Sequence, residues 1–181
     1  ADSNPRDLGR IDDLSFRPRS TLTGPLGRVW TASLPDYGRW SGPLSWFDPA
    51  TGERHAYHGV AGEGSCYTLA WLEELGLIAV GTTIDGGSGT QPRATEASLF
   101  LWDYERQEKI WEGGFGDDDD PARTVNSLIV VDGDLYGTIR REHRDELFHF
   151  DPVTRTIIET HELANHPLDL GLVSSTDGAV Y

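Results

Sequence analysis

Residues 147–151 read Leu-Phe-His-Phe-Asp, and the same five-residue pattern occurs twice earlier in the chain. The earlier copies are Leu-Phe-Leu-Trp-Asp at 99–103 and Leu-Ser-Trp-Phe-Asp at 44–48, so successive copies are 48 and 55 residues apart. Every copy begins with leucine, has an aromatic residue at its fourth place and ends with aspartate. Repetition at an interval of about 50 residues predicts a repeat architecture.

Strand-like segments surround each copy in a fixed order. In the middle repeat an alternating segment is followed by a continuous apolar run, then by the five-residue pattern and a fourth segment. The segments are 66–71, 77–82, 98–103 and 109–115, and those of the next repeat are 125–131, 135–138, 146–151 and 156–160. The Asp-Gly pair at 132–133 predicts a tight type I′ hairpin between two of them. Four antiparallel strands in about 50 residues are typical of a β-propeller blade.

The fold class that follows is all-β, a β-propeller of four-stranded antiparallel blades. We expect one unit over residues 1–181, with blades at about 8–60, 61–116 and 122–163 and a partial blade at 167–181. This is about half of a ring of about seven blades, since propellers close with 4–8. We expect the rest of a longer chain, or a second copy, to complete the ring.

Two local features of the repeat have structural interpretations. The aspartates Asp48, Asp103 and Asp151 end a strand, where a carboxylate accepts hydrogen bonds from the backbone N–H groups of a turn. Gly81 and Gly137 lie inside strands, where glycine is typical of a close approach by neighbouring atoms.

Composition excludes several classes of function. The formal net charge of −15 excludes a general affinity for nucleic acid or for an anionic membrane surface. The single cysteine, Cys66, excludes an internal disulfide and a zinc site built from several cysteines. No apolar run approaches the ~18 residues of a membrane-spanning helix.

Residues 42–52, 127–138 and 147–152 together resemble the bacterial WD40-like, YVTN-type and quinoprotein-like propellers, and the likeness extends over nearly the whole chain from Leu8. The resemblance implies the propeller fold. Its members include ligand-binding scaffolds, quinone-dependent dehydrogenases and propeller-type polysaccharide lyases. The chain lacks a tryptophan docking motif for a quinone, so we expect no cofactor.

The loops between second and third strands predict a binding site, because in a four-stranded meander they lie on the face around the central channel, where repeat folds concentrate function. Arginine pairs with carboxylate, sulfate or phosphate, and aromatic rings stack on sugars. We therefore expect a site for an acidic small molecule, such as a uronic-acid sugar. Its residues are Tyr37, Arg39, Trp40, Arg93, Arg140, Arg141 and His143.

Three alternatives remain open at this stage. In the first, these arginines form ordinary salt bridges on an acidic surface. In the second, the chain is a polysaccharide lyase in which His143 or Tyr37 is the base and Arg93 and Arg140 neutralise the uronate carboxylate. In the third, the loops bind a partner protein.

Two other loop segments have simpler interpretations. The run Asp117–Asp120 lacks the alternating ligands of a calcium loop, so we expect a solvated acidic loop and no metal site. The segment 86–89, Gly-Gly-Ser-Gly, lacks the remainder of a phosphate-binding motif and predicts a flexible loop.

Overall fold

The computed structural model describes residues 7–164, 171–175 and 179–180. In this part of the chain there are twelve β-strands and two three-residue 3-10 turns. The strands are β1 (Arg17–Thr23), β2 (Val29–Leu34), β3 (Leu44–Phe47), β4 (Arg54–Tyr57), β5 (Ser65–Leu72), β6 (Leu77–Thr83), β7 (Leu99–Asp103), β8 (Glu108–Gly113), β9 (Thr124–Val131), β10 (Asp134–Arg140), β11 (Asp145–Asp151) and β12 (Thr156–Glu162).

Each group of four consecutive strands pairs in antiparallel order, as β1 to β4, β5 to β8 and β9 to β12. The second and third groups are joined by one backbone pairing, Thr83 with Thr124. This arrangement confirms the all-β propeller fold class. The partial blade predicted at 167–181 lies mostly outside the described residues, although Ser174 and Val180 form an antiparallel bridge there.

The five-residue pattern forms the third strand of each group, and its alternation decides which neighbour each side chain meets. In β7, the first and third places, Leu99 and Leu101, are buried against the third group. The second and fourth places, Phe100 and Trp102, are buried against the first group. The second sheet therefore has one apolar face for the preceding group and another for the following one.

The core consists of two layers between successive sheets. Between the first and second sheets the largest buried side chains are aromatic, and they include Trp30 and Phe100. Between the second and third, the rings of Phe115 and Phe148 pack with centroids 5.0 Å apart, and Phe150 is fully buried. Burial of a side chain of this size contributes about 1.5–3 kcal/mol, so these two layers dominate stability.

Glycine is required where sheets and side chains approach most closely. A β-carbon on Gly81 would lie 2.6 Å from the side chain of Val125 in the next sheet. A β-carbon on Gly137 would overlap the ring of Phe148. The close approach predicted for both strand glycines is confirmed.

The outer face of the first sheet differs from the other sheet faces because Ser45 occupies the place that Phe100 and Phe148 hold in the other two sheets. Ser45 is fully buried there, and its hydroxyl lies 3.4 Å from that of Ser15. The Arg54 guanidinium donates to the carbonyls of Leu8 and Arg10, at 3.1 and 2.7 Å. The segment 7–16 therefore lies against this sheet and covers part of it.

The pattern aspartates organise the turns after β3, β7 and β11, as predicted. Asp151 Oδ1 accepts hydrogen bonds from the backbone N–H groups of Val153 and Thr154, at 2.8 and 3.1 Å. Hydrogen bonds, chiefly from the Thr154 hydroxyl, hold the pKa of Asp151 below its usual range, and the backbone N–H of Ala50 is the main cause of the lowered pKa of Asp48.

The Asp132-Gly133 hairpin also has the predicted form. Its two central residues have φ of +52° and +89°, as a type I′ turn requires.

Replacing Asp151 by alanine removes the acceptor for both turn N–H groups, so we expect the midpoint of thermal unfolding to fall by a few degrees. Asp151→Asn keeps an oxygen acceptor and serves as the matched control, with a smaller decrease.

The same residue predicts a dependence of stability on pH, because folding lowers the pKa of Asp151. The ionised carboxylate contributes fully to the free energy of unfolding above its unfolded pKa of about 3.9, and this contribution is lost as the pH falls through the lower pKa of the folded state. Calorimetry at several pH values should show the gap between wild type and Asp151→Ala narrowing in acid, and a gap independent of pH would contradict this account.

Candidate functional site

Two of the three predicted loops are joined directly. The loop from β2 to β3 (35–43) and the loop from β6 to β7 (84–98) exchange backbone hydrogen bonds: Gly87 N–H donates to the Arg39 carbonyl at 2.8 Å, and Gly38 N–H donates to the Ser88 carbonyl at 3.1 Å. The Trp40 indole N–H donates to the Gln91 carbonyl at 2.9 Å. The first two blades therefore present one continuous loop surface.

The glycine-rich segment 86–89 is part of this junction, so the expectation of a flexible loop is wrong. A β-carbon on Gly87 would overlap the carbonyl oxygen of Asp36, and one on Gly86 would lie 2.7 Å from the carbonyl oxygen of Arg39. These glycines allow two backbones to meet, which no motif in the sequence indicated.

An arginine stacked on a tryptophan forms the centre of the loop surface. The Arg93 guanidinium carbon lies 3.5 Å from the centroid of the Trp40 ring, which is the geometry of a cation–π contact. The Arg93 side chain is 53% exposed, and its Nη1 lies 3.5 Å from Glu63 Oε2. Glu63 comes from the loop between the first two sheets and was not among the predicted site residues. The sequence contains no signal for it, since a lone glutamate in an acidic chain is unremarkable.

Two further predicted residues lie on the same loops and face solvent. Tyr37 is 65% exposed, and the Arg17 guanidinium carbon lies 5.6 Å from its ring centroid. Arg39 is exposed, and its side chain forms no ion pair with any residue that the structure describes. We refer to Tyr37, Arg39, Trp40, Glu63 and Arg93 as the loop-face cluster.

Arg141 is not a solvent-facing ligand residue, which corrects the prediction. It is 4% exposed, and its Nε donates to Glu146 at 2.9 Å. Its Nη1 donates to the Asp120 carbonyl at 2.6 Å, and its Nη2 donates to the carbonyls of Phe115 and Gly116 at 3.3 and 3.5 Å. Arg141 thus connects the third sheet to the linker that precedes it.

The acidic run 117–120 is bound to the same region rather than fully solvated. Asp120 is 5% exposed and accepts from the Glu142 backbone N–H at 3.0 Å. Arg144 donates to the carboxylates of both Asp117 and Asp120, and its hydrogen bond is the main reason that the pKa of Asp117 is lowered. The expectation of a solvated loop holds only for the exposed side chains of Asp118 and Asp119.

The third loop therefore belongs to a separate structural unit. Its residues 141–144 make no hydrogen bond, ion pair or ring contact with the loop-face cluster among the residues that the structure describes. His143 is exposed on this loop, and Arg140 is half-buried at the end of β10, with its carbonyl accepting from the Arg123 N–H at 2.8 Å. The three loops do not converge on one catalytic group.

The described residues give little support to a metal site or to a reactive cysteine. Within 7–164, 171–175 and 179–180, no group of three or more His, Cys, Asp and Glu side chains is placed to hold a metal ion. Cys66 is fully buried, and burial raises the pKa of its thiol, which disfavours a reactive thiolate. The same ranges include no helix of the length and apolarity needed to cross a membrane.

Comparison with known proteins supports the fold alone. No protein-family model and no curated protein matches the sequence. Among solved structures, the chain is similar to the Dos1 propeller, with a TM-score of 0.63, 12% identity and coverage of 89% of this chain and 40% of that one. It is similar to the RRP9 WD40 repeats, with a TM-score of 0.58 and 13% identity over 83% and 39%. A chain of the mitotic checkpoint complex gives a TM-score of 0.57 at 16% identity, over 97% and 51%.

The chain therefore spans 39–51% of the length of these three solved structures, of which one is described as WD40 repeats and another as a propeller. This agrees with a partial ring of propeller blades.

Replacing Arg141 by methionine removes four hydrogen bonds and leaves the buried Glu146 without one of its cationic partners. We expect the free energy of unfolding to fall by about 3 kcal/mol, the lower end of the range for breaking a buried ion pair. Urea denaturation followed by tryptophan fluorescence measures this loss. Arg39→Met, the same substitution at an exposed arginine, is the control and should change stability by less than about 0.5 kcal/mol. Equal decreases in the free energy of unfolding of the two variants would show that the buried bonds of Arg141 do not stabilise the fold.

Proposed function

We propose that this chain is part of a non-enzymatic interaction propeller whose loop-face cluster binds a carboxylate-bearing partner. The observation that carries the proposal is the stacked Arg93, which combines a fixed position on Trp40 with a half-exposed guanidinium. The similarity to propeller structures supports a scaffold or interaction platform. The carboxylate specificity is our proposal.

The geometry of the arginine suits recognition of a planar anion. Stacking occupies the face of the guanidinium and leaves its edge N–H groups for a bidentate carboxylate. The hydrogen bond from Trp40 to Gln91 fixes the ring on which Arg93 rests. A pre-positioned side chain loses less conformational entropy on binding, so this arginine is better prepared than a mobile surface arginine.

Glu63 acts as the internal competitor for the incoming carboxylate. Its distance of 3.5 Å from Arg93 and its own exposure of 59% describe a loose surface pair, and such pairs contribute at most about 1 kcal/mol. A ligand carboxylate can displace Glu63 at small cost, while Arg39 supplies a second positive charge from the adjoining loop.

Aromatic groups beside the arginines favour a ligand with an apolar or ring surface. The exposed Tyr37 and the half-buried Trp40 lie on the same loop within three residues, and aromatic rings pack on sugar faces. A uronic-acid sugar combines such a face with a carboxylate. Binding alone is proposed, because of the two bases that the sequence suggested, His143 and Tyr37, only Tyr37 belongs to the loop-face cluster.

We further propose that the far face of the third sheet packs against another propeller blade. In β11, Leu147 and His149 occupy the first and third places of the five-residue pattern, whose counterparts in β7 are buried against the following sheet. His149 stacks on Tyr136 with ring centroids 4.4 Å apart, and its Nε2 lies 2.9 Å from Asp134 Oδ2. The next blade would come from a longer chain or from a second copy.

Binding of oligogalacturonate, measured by isothermal titration calorimetry, tests the carboxylate site. Arg93→Gln removes the charge and keeps much of the size, and we expect it to weaken binding at least about tenfold, equivalent to about 1.4 kcal/mol. Arg106→Gln, an exposed arginine on another turn, is the control and should bind as wild type. The same titration with a glutamate-rich peptide and with a neutral galactose oligomer provides the comparison.

Each outcome of that experiment is decisive. Binding of the sugar acid alone supports a uronate, binding of the peptide alone supports a protein partner, and binding of neither contradicts the carboxylate site. Accumulation of an unsaturated sugar product, followed by its short-wavelength ultraviolet absorbance, would contradict binding without turnover.

Self-association of the 181-residue chain tests the blade interface. We expect the far face to bind the dye ANS or to mediate dimers, seen by light scattering after gel filtration. Leu147→Glu should abolish either effect, because a charge there cannot be buried against a neighbour. Leu26→Glu, at an apolar residue that is 69% exposed, is the control. A monomer that binds no dye, or equal effects of both variants, would contradict the interface.

A further inference from the structure

The end of the sheets opposite the loop-face cluster carries a groove between the second and third blades. It has a volume of about 780 Å³. The second blade contributes residues 71–75, the end of β5 and the turn after it, and the third blade contributes Val130, the turn 132–134 and Val153. Consecutive connections of a meander alternate between the two ends of a sheet, so this groove is remote from the loop face.

The floor of the groove is apolar and remains open to solvent. Trp71 is half-buried there, and its ring packs edge-on against Tyr104 with centroids 5.8 Å apart. Leu75 and Val153 are 40% and 72% exposed, which is high for aliphatic side chains that flank the same depression. An apolar surface of this kind gains free energy when a partner covers it.

The rim of the groove is acidic. Four carboxylates line it, those of Glu73, Glu74, Asp132 and Asp134, and no Lys, Arg or His is among the ten residues that line it in the described part of the chain. Glu74 Oε2 lies 3.8 Å from the position of a β-carbon on Gly133, so the Glu74 carboxylate lies beside the turn that carries Asp132 and Asp134.

Three of these carboxylates are uncompensated. Asp134 is 2.9 Å from the His149 imidazole, whereas Glu73, Glu74 and Asp132 form no ion pair with any residue that the structure describes. Like charges in proximity repel one another, and an approaching cation relieves that repulsion. The potential of the groove therefore selects a positively charged partner.

We infer that this groove binds a basic peptide segment in which an aliphatic side chain is flanked by arginine or lysine. The aliphatic side chain would cover the floor beside Leu75 and Val153, and the cationic groups would meet Glu73, Glu74 and Asp132. Arginine and lysine suit both surfaces, since their methylene stems pack on apolar atoms while their charged ends reach carboxylates. The volume is in the range of sites that enclose a drug-sized ligand, which matches several side chains. The groove and the loop-face cluster thus select partners of opposite charge.

The test uses the 181-residue chain and a pentapeptide with one leucine flanked by two arginines on each side. Calorimetry measures its Kd, and amide shifts in a ¹⁵N correlation spectrum locate the site. The triple variant Glu73→Gln, Glu74→Gln, Asp132→Asn should weaken binding at least about tenfold. Glu53→Gln, Asp118→Asn, Asp119→Asn removes three exposed charges elsewhere and should change the Kd less than about twofold. A peptide with serine in place of leucine should bind about fivefold more weakly.

The expected spectrum shows the largest shifts at the amides of Leu75, Gly133 and Val153. Equal weakening by the two triple variants would show that the peptide responds only to the general negative field of the chain, and the proposal would be overturned. Shifts confined to other residues, unchanged binding by the serine peptide or no binding of the leucine peptide would also overturn it. Because all substituted carboxylates are exposed, far-UV circular dichroism should be identical in the three proteins.

Discussion

Face-to-face packing of one four-stranded sheet on the next is the constraint on which the rest of this molecule depends. A sheet with apolar side chains on both faces needs two neighbours, since an uncovered face exposes apolar surface to water. The second sheet satisfies this requirement, with Phe100 and Trp102 on one side and Leu99 and Leu101 on the other. Loops at both ends of the sheets are positioned as a consequence of that packing.

The two outer sheets meet the constraint differently. The first has Ser45 on its outer face where the other sheets have phenylalanine, and the segment 7–16 lies against that face through the Ser15–Ser45 contact and the bonds to Arg54. The third presents Leu147, His149 and Tyr136, which follow the pattern of an interior face. This difference between the outer faces is the basis of our proposal that another blade packs on the third sheet.

The two ends of the blades differ in the charge of their exposed side chains, and the net charge of the chain does not show this difference. Two arginines of the third loop, Arg141 and Arg144, bond to the acidic linker and hold it against the third sheet. At the first two loops, Arg93 is partly exposed on the Trp40 ring and Arg39 is exposed. The opposite end collects uncompensated carboxylates around an apolar floor. An interaction platform with two chemically distinct surfaces is the functional picture that unites our proposals.

The sequence by itself determined the fold class, the order of strands within a repeat and the structural role of Asp48, Asp103 and Asp151. Those properties depend on the periodicity of apolar residues and on hydrogen bonds between residues close in the chain, so they can be predicted without a structure. It also indicated the loops to inspect, and within them Trp40 and Arg93.

Tertiary structure decided which of those residues act together. Arg141 and Arg93 look equivalent in the sequence, yet one is buried among carbonyls and the other is stacked at the surface, because the local backbone of each loop directs it differently. The ion pair of Arg93 with Glu63, the close packing of Gly87 on Asp36 and the approach of Glu74 to Gly133 join residues 30 to 59 positions apart in the chain. Such pairings are set by how blades pack, and no local pattern encodes a distance between two loops that only the assembled sheets bring together.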